Sequence, residues 1–304
     1  MKEISIIIVT WNSEEYIEDC LTAIKKGESP TRPYEIIIVD NASQDKTVEC
    51  VEKWCQEETP YTTETSDITK KKKSNIQIIE NLSNLGLSKA INQGVRASHK
   101  LAPTSKYILL LNPDVVASEN AISELYQFME QREDVGACGP RFWTPSGKPQ
   151  PSCRELPSFK NLFTEFTGLA RLTKCSSWKM WYFNHSELRE VDQPMGSCLL
   201  IRKKVFDEIG GMNPRYPIFM NDVDLCERIK KAGYKIYFVP SANMNHYLGG
   251  STRKVRRKMI LEEHWSMYHY LRDHFKNRFL VTLYAFLLLM SAFYRILFSF
   301  FMRN

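Results

Sequence analysis

Three unbroken apolar runs, SIIIVTW, YEIIIVD and KYILLLN, constrain the fold of this chain more than any other feature in it. None alternates with polar residues, so each reads as a strand covered on both faces, the condition of a parallel sheet flanked by helices. Helical stretches separate them. EEYIEDCLTAIKK follows the first, with Asn12 and Ser13 placed to cap it, and another helix starts near Thr47 beyond Ser43. A further strand, IQIIE, and the helix LSKAINQGVRAS precede the third run. This alternation predicts an α/β chain with a Rossmann-like, mostly parallel sheet. Such sheets bind ligands at the carboxyl ends of their strands. Three polar clusters fall there: Thr10-Trp11-Asn12, Asp40-Asn41-Ala42-Ser43 and Asn112-Pro113-Asp114. No GxGxxG follows the first strand and no GxxxxGK[ST] occurs, which argues against dinucleotide and Walker-type phosphate binding.

Beyond Asp114 the pattern is mixed, and residues 140 to 190 show little periodicity. MGSCLLIRKKVFDEIGGM then predicts a strand, a short helix and a Gly-Gly stop. A helix ending at Gly233 and a short strand, KIYFVP, follow. With 304 residues, 43% of them hydrophobic, the chain can bury a substantial core. Eight cysteines without a CxxC pair or zinc spacing suit reduced thiols in a cytosolic setting. The opening MKEISIIIVTWN reads as a strand and not as a signal peptide. Residues 57 to 75 are polar and aperiodic and read as an insertion.

Charge is placed unevenly. Lys70 to Lys73 form one basic run, and Arg253, Lys254, Arg256, Arg257 and Lys258 another, suited to phosphates, lipid headgroups or water. Nothing points to a nucleic-acid partner. From Phe279 to Tyr294 run sixteen uncharged residues bounded by Arg278 and Arg295, short of the roughly 20 that a spanning helix needs. As a helix, this segment aligns Ser291, Arg295, Ser299 and Arg303 in one narrow polar stripe. It reads as a helix lying in or dipping into a membrane, or as one packed on the protein's own core.

Several residues carry chemistry, each with a plainer alternative. Asp114, beside Asn112 after a buried strand, suits a hard divalent cation or a simple turn. Asp40 suits a base or ribose contact, or an Asx-turn. In FMNDVDLCERI, Asp222 reads as a helix N-cap with Asp224 in the first turn, or as a general base. His246 suits a metal or phosphate contact, or a satisfied loop histidine.

Taken in order, ISIIIVTWNSEEYIEDCL, YEIIIVDNASQDKT, NLGLSKAINQG, YILLLNPDV, MGSCLLIRKKVFDEIGGMNPRY, FMNDVDLCERIKKAGYKIYFVP and HYLGGST resemble successive blocks of family 2 glycosyltransferases, closest to the rhamnosyltransferase-type branch. The resemblance spans about residues 4 to 275. It implies a GT-A fold: a nucleotide-binding half over about 1–115, an acceptor half over 116–275, and a membrane-associating helix over 276–304. Carried over, Thr10, Trp11, Asn12 and Asp40 hold the nucleoside, and Asn84, Gly86 and Asn92 line the nucleotide-sugar cleft. Asn112 and Asp114 match the DxD-like motif, with Asp114 and His246 on a divalent cation, Mg²⁺ or Mn²⁺. Asp222 matches the general base, and Arg154, Asp192, Gly196 and Asp224 fall on the sugar and acceptor side. Asn112 stands at the first DxD position, and Asn221 where the family commonly has an acidic residue.

The implied reaction is inverting transfer of a sugar, rhamnose from dTDP-rhamnose, to a lipid-linked glycan at the inner face of the cell membrane. Monomer and homodimer both remain open. The alternatives are another nucleotide sugar, a silent nucleotide-sugar-binding subunit, or a nucleotidyltransferase. The last lacks its Gly-rich basic loop.

Overall fold

The computed structural model describes residues 3–27, 34–58, 72–73, 75–167, 169, 178–180, 182–247 and 255–301. Most of the 57–75 stretch lies outside them, as do Arg253, Lys254, Gly249 to Thr252 and Arg303. Strand β1 (Ile4–Thr10) runs through the middle of the main sheet, in parallel between β2 (Tyr34–Asp40) and β4 (Tyr107–Leu111). β3 (Ile76–Glu80) extends the parallel set beyond β2. The register pairs Thr10 with Asp40 and Ile8 with Leu111, so these strands finish together and their polar ends share one edge.

Buried on both faces, β1 sends Ile6 and Ile8 into one core and Ile7 into another. Helices α1 (Ile17–Lys26) and α2 (Thr47–Glu58) cover the first face, and α3 (Leu87–Leu101) covers the second. Each fully buried isoleucine is worth about 1.5–3 kcal/mol. α1 starts at Ile17, later than the sequence suggested, because residues 14 to 16 form a turn hydrogen-bonded to the Ser13 carbonyl. No side chain caps the helix. Asn12 and Ser13 are used elsewhere, as described below.

The second half extends the same sheet. After β5 (Val115–Ala117), α4 (Ala121–Glu130) leads to β6 (Val135–Trp143). α5 (Phe159–Phe166) precedes β7 (Cys198–Arg202), which pairs antiparallel with both β4 and β6. Then come α6 (Lys203–Glu208), α7 (Asn221–Lys231) and β8 (Lys235–His246), parallel to β6. β6 gave little sequence signal because VGACGPRFW carries two glycines and a proline. β8 is twice as long as the KIYFVP run that announced it. Its register on β6 shifts between Val239 and Asn243, so one bent strand looks like two pieces. His246 therefore closes a strand and is not a loop residue.

Helices α8 (Arg256–His274) and α9 (Arg278–Phe301) end the described chain. α9 turns Val281, Tyr284, Leu288 and Ala292 inward and leaves Phe279, Phe286, Leu289 and Phe293 exposed. The polar stripe read from the sequence faces α8: His264 Nε2 lies 3.1 Å from Ser291 Oγ, Arg295 pairs with Glu263 at 2.9 Å, and Arg257 Nε donates to Ser299 Oγ. Over Arg278–Leu297, α9 is long and apolar enough to cross a membrane by length and composition, with a mean hydropathy of 1.9.

Candidate active site

At the carboxyl edge, the loops after β1 and β2 are stitched to each other. Asp40, 4% exposed, accepts from Thr10 Oγ1 at 2.8 Å, from the Ser43 backbone N–H at 2.9 Å and from Ser43 Oγ at 2.5 Å. Asn12 N donates to Ser43 Oγ, and Asn12 Oδ1 accepts from Gln44 N. Ser13 N donates to Thr47 Oγ1, and Ser13 Oγ accepts from Trp11 N. Asn12 and Ala42 sit at φ of 52° and 65°, conformations that non-glycine residues adopt only when surroundings insist. The result is a rigid shelf holding Thr10, Trp11, Asn12 and Asp40 together.

Asn84 joins this shelf: its Oδ1 accepts from Asn41 Nδ2 and from Gly86 N, both at 2.9 Å. Gly86 has φ 81°, and a Cβ there would fall 2.9 Å from Pro217 Cβ, so the N-terminus of α3 presses on the 212–217 loop. Asn92, expected to line the cleft, is bonded to the loop after α6. Its Nδ2 donates to the Met212 carbonyl and its Oδ1 accepts from Met212 N, so the amide braces the same loop.

The second group gathers around two adjacent residues. Ser197 holds Asn112, its carbonyl accepting from Asn112 N at 2.8 Å and its Oγ accepting from Asn112 Nδ2 at 3.2 Å. Gly196 N donates to Asp222 Oδ2 at 3.2 Å, and Gln193 Nε2 donates to the same oxygen at 2.7 Å. A Cβ on Gly196 would lie 2.8 Å from Asp222 Cβ, so only glycine admits this approach. Consecutive residues thus tie down the DxD-like turn and the candidate base. Gln193 escaped the sequence reading, although it stands beside Asp192 in the block VDQPMGS.

α7 begins at Asn221 rather than after Asp222, with Met220 as N-cap at φ 64° and no side-chain cap, so Asp222 is not the cap. Asp222, a partly exposed residue, occupies the first turn instead, and its Oδ1 receives only the amide of its neighbour Val223 among the hydrogen bonds described. A carboxylate fixed through one oxygen, with a single amide on the other, keeps lone-pair capacity to take a proton from an incoming hydroxyl.

Asp114 and His246 face each other across the β5–β8 pairing. His246 Nε2 lies 3.6 Å from Asp114 Oδ1, and both residues are buried. That spacing suits one divalent cation, since metal bonds of about 2.1 Å at a right angle put two ligands about 3 Å apart. Among the described residues no three His, Cys, Asp or Glu side chains converge on one such point. The pair would leave most coordination positions to phosphate oxygens and water, as Mg²⁺ prefers.

Other expected acceptor-side residues have structural partners. Asp192 accepts from Leu156 N at 3.0 Å and pairs with Lys230 on α7. Arg154 lies 4.8 Å above the Trp178 ring, and its backbone pairs with Gln193. Asp224, 2% exposed, points away from Asp222, pairing with Arg228 Nε at 2.8 Å and lying 3.7 Å from His274 Nε2. Burial pushes the Asp224 carboxyl up, but His274 and Arg228 outweigh it and hold it below the usual carboxylate range.

The shelf joining the β1 and β2 loops, a buried Asp–His pair and an anchored carboxylate lie along one edge of one sheet. The sequence profile of "Glycosyl transferase family 2" matches residues 5–210. The chain belongs to this family. It is 26% identical over 279 residues to N-acetylglucosaminyl-diphospho-decaprenol L-rhamnosyltransferase of Mycobacterium tuberculosis, covering 88% of this chain and 83% of that protein. It is 24% identical over 166 residues to rhamnosyltransferase WbbL of Escherichia coli, covering 54% and 61%. The mannosyltransferase PcManGT of Pyrobaculum calidifontis, solved with GDP-Man and Mn²⁺, superposes with a TM-score of 0.58 at 14% identity, over 97% of this chain and 72% of that one. The fold is that of GT-A glycosyltransferases. The protein is a glycosyltransferase of glycan biosynthesis, in the rhamnosyltransferase-like branch of its family.

Proposed function

We propose that this glycosyltransferase moves a deoxyhexose, rhamnose from a dTDP donor, onto a lipid-linked glycan with inversion at the anomeric carbon. The observation that carries the reading is the anchoring of Asp222 through Oδ2 by Gln193 and Gly196, next to the Ser197 contact with the DxD-like turn. A single carboxylate opposite the leaving group suits one displacement, with the acceptor oxygen attacking as its proton passes to Asp222. Thr10, Trp11, Asn12 and Asp40 would hold the nucleoside. Asp114 and His246 would hold a Mg²⁺ or Mn²⁺ ion, which stabilises the charge developing on the nucleoside diphosphate when bound.

The exposed face of α9, with Phe279, Phe286, Leu289 and Phe293, supports placement at the cytoplasmic surface of a membrane, where lipid-linked acceptors lie. We read residues 1–275 as the catalytic unit and the remainder as its anchor. Incubating the purified protein with Mg²⁺ or Mn²⁺, a prenyl-diphosphate sugar and a panel of nucleotide sugars tests the reaction; turnover confined to a non-deoxy sugar would overturn the donor. Deleting α9 is a poor test of anchoring, because it strips Tyr284 and Leu288 from the core. Polar substitution of Phe286, Leu289 and Phe293 together should instead move the protein from the membrane pellet to the soluble fraction.

A further inference from the structure

We infer that Gln150 is a positioning residue for His246, accepting Nδ1–H so that Nε2 presents its lone pair to a divalent cation beside Asp114. This rests on the reading of Asp114 and His246 as cation ligands. Gln150 pairs with Phe142 on the edge of β6 and is 5% exposed. Its amide nitrogen lies 3.0 Å from His246 Nδ1 and 3.5 Å from Met195 Sδ, while its Oε1 is buried without a hydrogen-bond partner among the described residues. His246 is 3% exposed, and the Phe142 ring centroid stands 5.3 Å from its own.

Only one proton arrangement serves ligation. With the amide donating, Nδ1 must be the acceptor, and a neutral imidazole then carries its proton on Nε2. That proton would aim at Asp114 Oδ1 across 3.6 Å, beyond hydrogen-bond reach, and would block the nitrogen that faces the carboxylate. Half a turn of the amide keeps its shape and puts Oε1 on Nδ1–H. A metal-bound histidine normally donates its second ring nitrogen to such an acceptor, which fixes both tautomer and ring orientation. A neutral amide also suits the surroundings of Phe142 and Met195 better than a buried carboxylate would.

The test uses the full-length protein. Nitrogen-15 NMR of histidine-labelled, metal-free protein, with the His246 signals identified by their loss in His246→Gln, should show the proton on Nδ1. Mn²⁺ titrations followed by electron paramagnetic resonance, with a nucleoside diphosphate present, should show about tenfold or more weaker binding in Gln150→Leu. Gln150→Glu, which keeps an acceptor at Nδ1, should restore it. A proton on Nε2 in the wild type, or unchanged Mn²⁺ affinity in Gln150→Leu, overturns the inference. Wild-type Mn²⁺ binding no stronger than that of His246→Gln instead overturns the cation-ligand reading, and this inference with it. The NMR measurement needs no folded Gln150 variant.

Discussion

Two faces of α7 carry aspartates two residues apart, and they have opposite environments. Asp222 is held only by neutral donors, Gln193 and Gly196 on one oxygen and the Val223 amide on the other. Asp224 is buried in a charge cluster with Arg228 and His274, which reaches Glu227, Lys231 and Tyr270. Neutral donors fix a carboxylate's orientation and leave it available, whereas ion pairs occupy it. On the proposed reading the helix separates reactivity from attachment: one face carries the base, and the other fastens α8.

Asp222→Asn should break this contrast most sharply, lowering transfer about 10²- to 10⁴-fold while the melting temperature stays put, as steady-state kinetics and calorimetry would show. If that variant keeps full transfer, the base assignment fails. Asp224→Ala should do the reverse, costing about 3 kcal/mol by stranding Arg228 and His274 and lowering the denaturation midpoint. Gly196→Ala comes next. Its methyl would push on Asp222 Cβ and should cut kcat about tenfold, with roughly 1 kcal/mol lost in stability.

The smallest effect concerns pH. Hydrogen bonding of the ring to the Asp224 and Glu227 carboxylates, which accept, lifts His274 from 6.5 up to about 9. A group raised on folding stabilises fully below its unfolded value, and that contribution fades as pH climbs through the folded one. The wild type should therefore lose a few degrees of melting temperature between about pH 6.5 and 9, and His274→Gln should flatten this slope. An equal slope in both proteins would remove His274 from the attachment. In acid the same cluster weakens again. Burial lifts Glu227, but His274, Lys231 and Tyr270 outweigh it and hold it at about 2, so its contribution falls away below the ordinary carboxylate range.

How much of this was legible in the sequence depends on the range of the interactions involved. β1, β2 and β4 were readable because burial on both faces leaves an unbroken apolar run, and the positions of Thr10, Asp40 and Asp114 followed. The whole of β8 was not, since a bulge near Pro240 hid its continuity and made His246 look like a loop residue. The hydrogen bonds of Asn92 and Asp192 reach Met212 and Leu156, and such pairings leave no local pattern. The stripe of Ser291, Arg295 and Ser299 was visible as a period of four. Its partner could not be named, because a period gives the face of a helix and not what lies against it.

The Gly196–Ser197 step acts as a ruler. One peptide unit separates the group that anchors Asp222 from the group that anchors Asn112, and β4, β7 and β6 belong to a single sheet. On the proposed reading, the spacing between proton acceptor and diphosphate side is therefore built into covalent geometry. Acceptor preference can then drift through changes in the surrounding loops while the reaction distance stays constant.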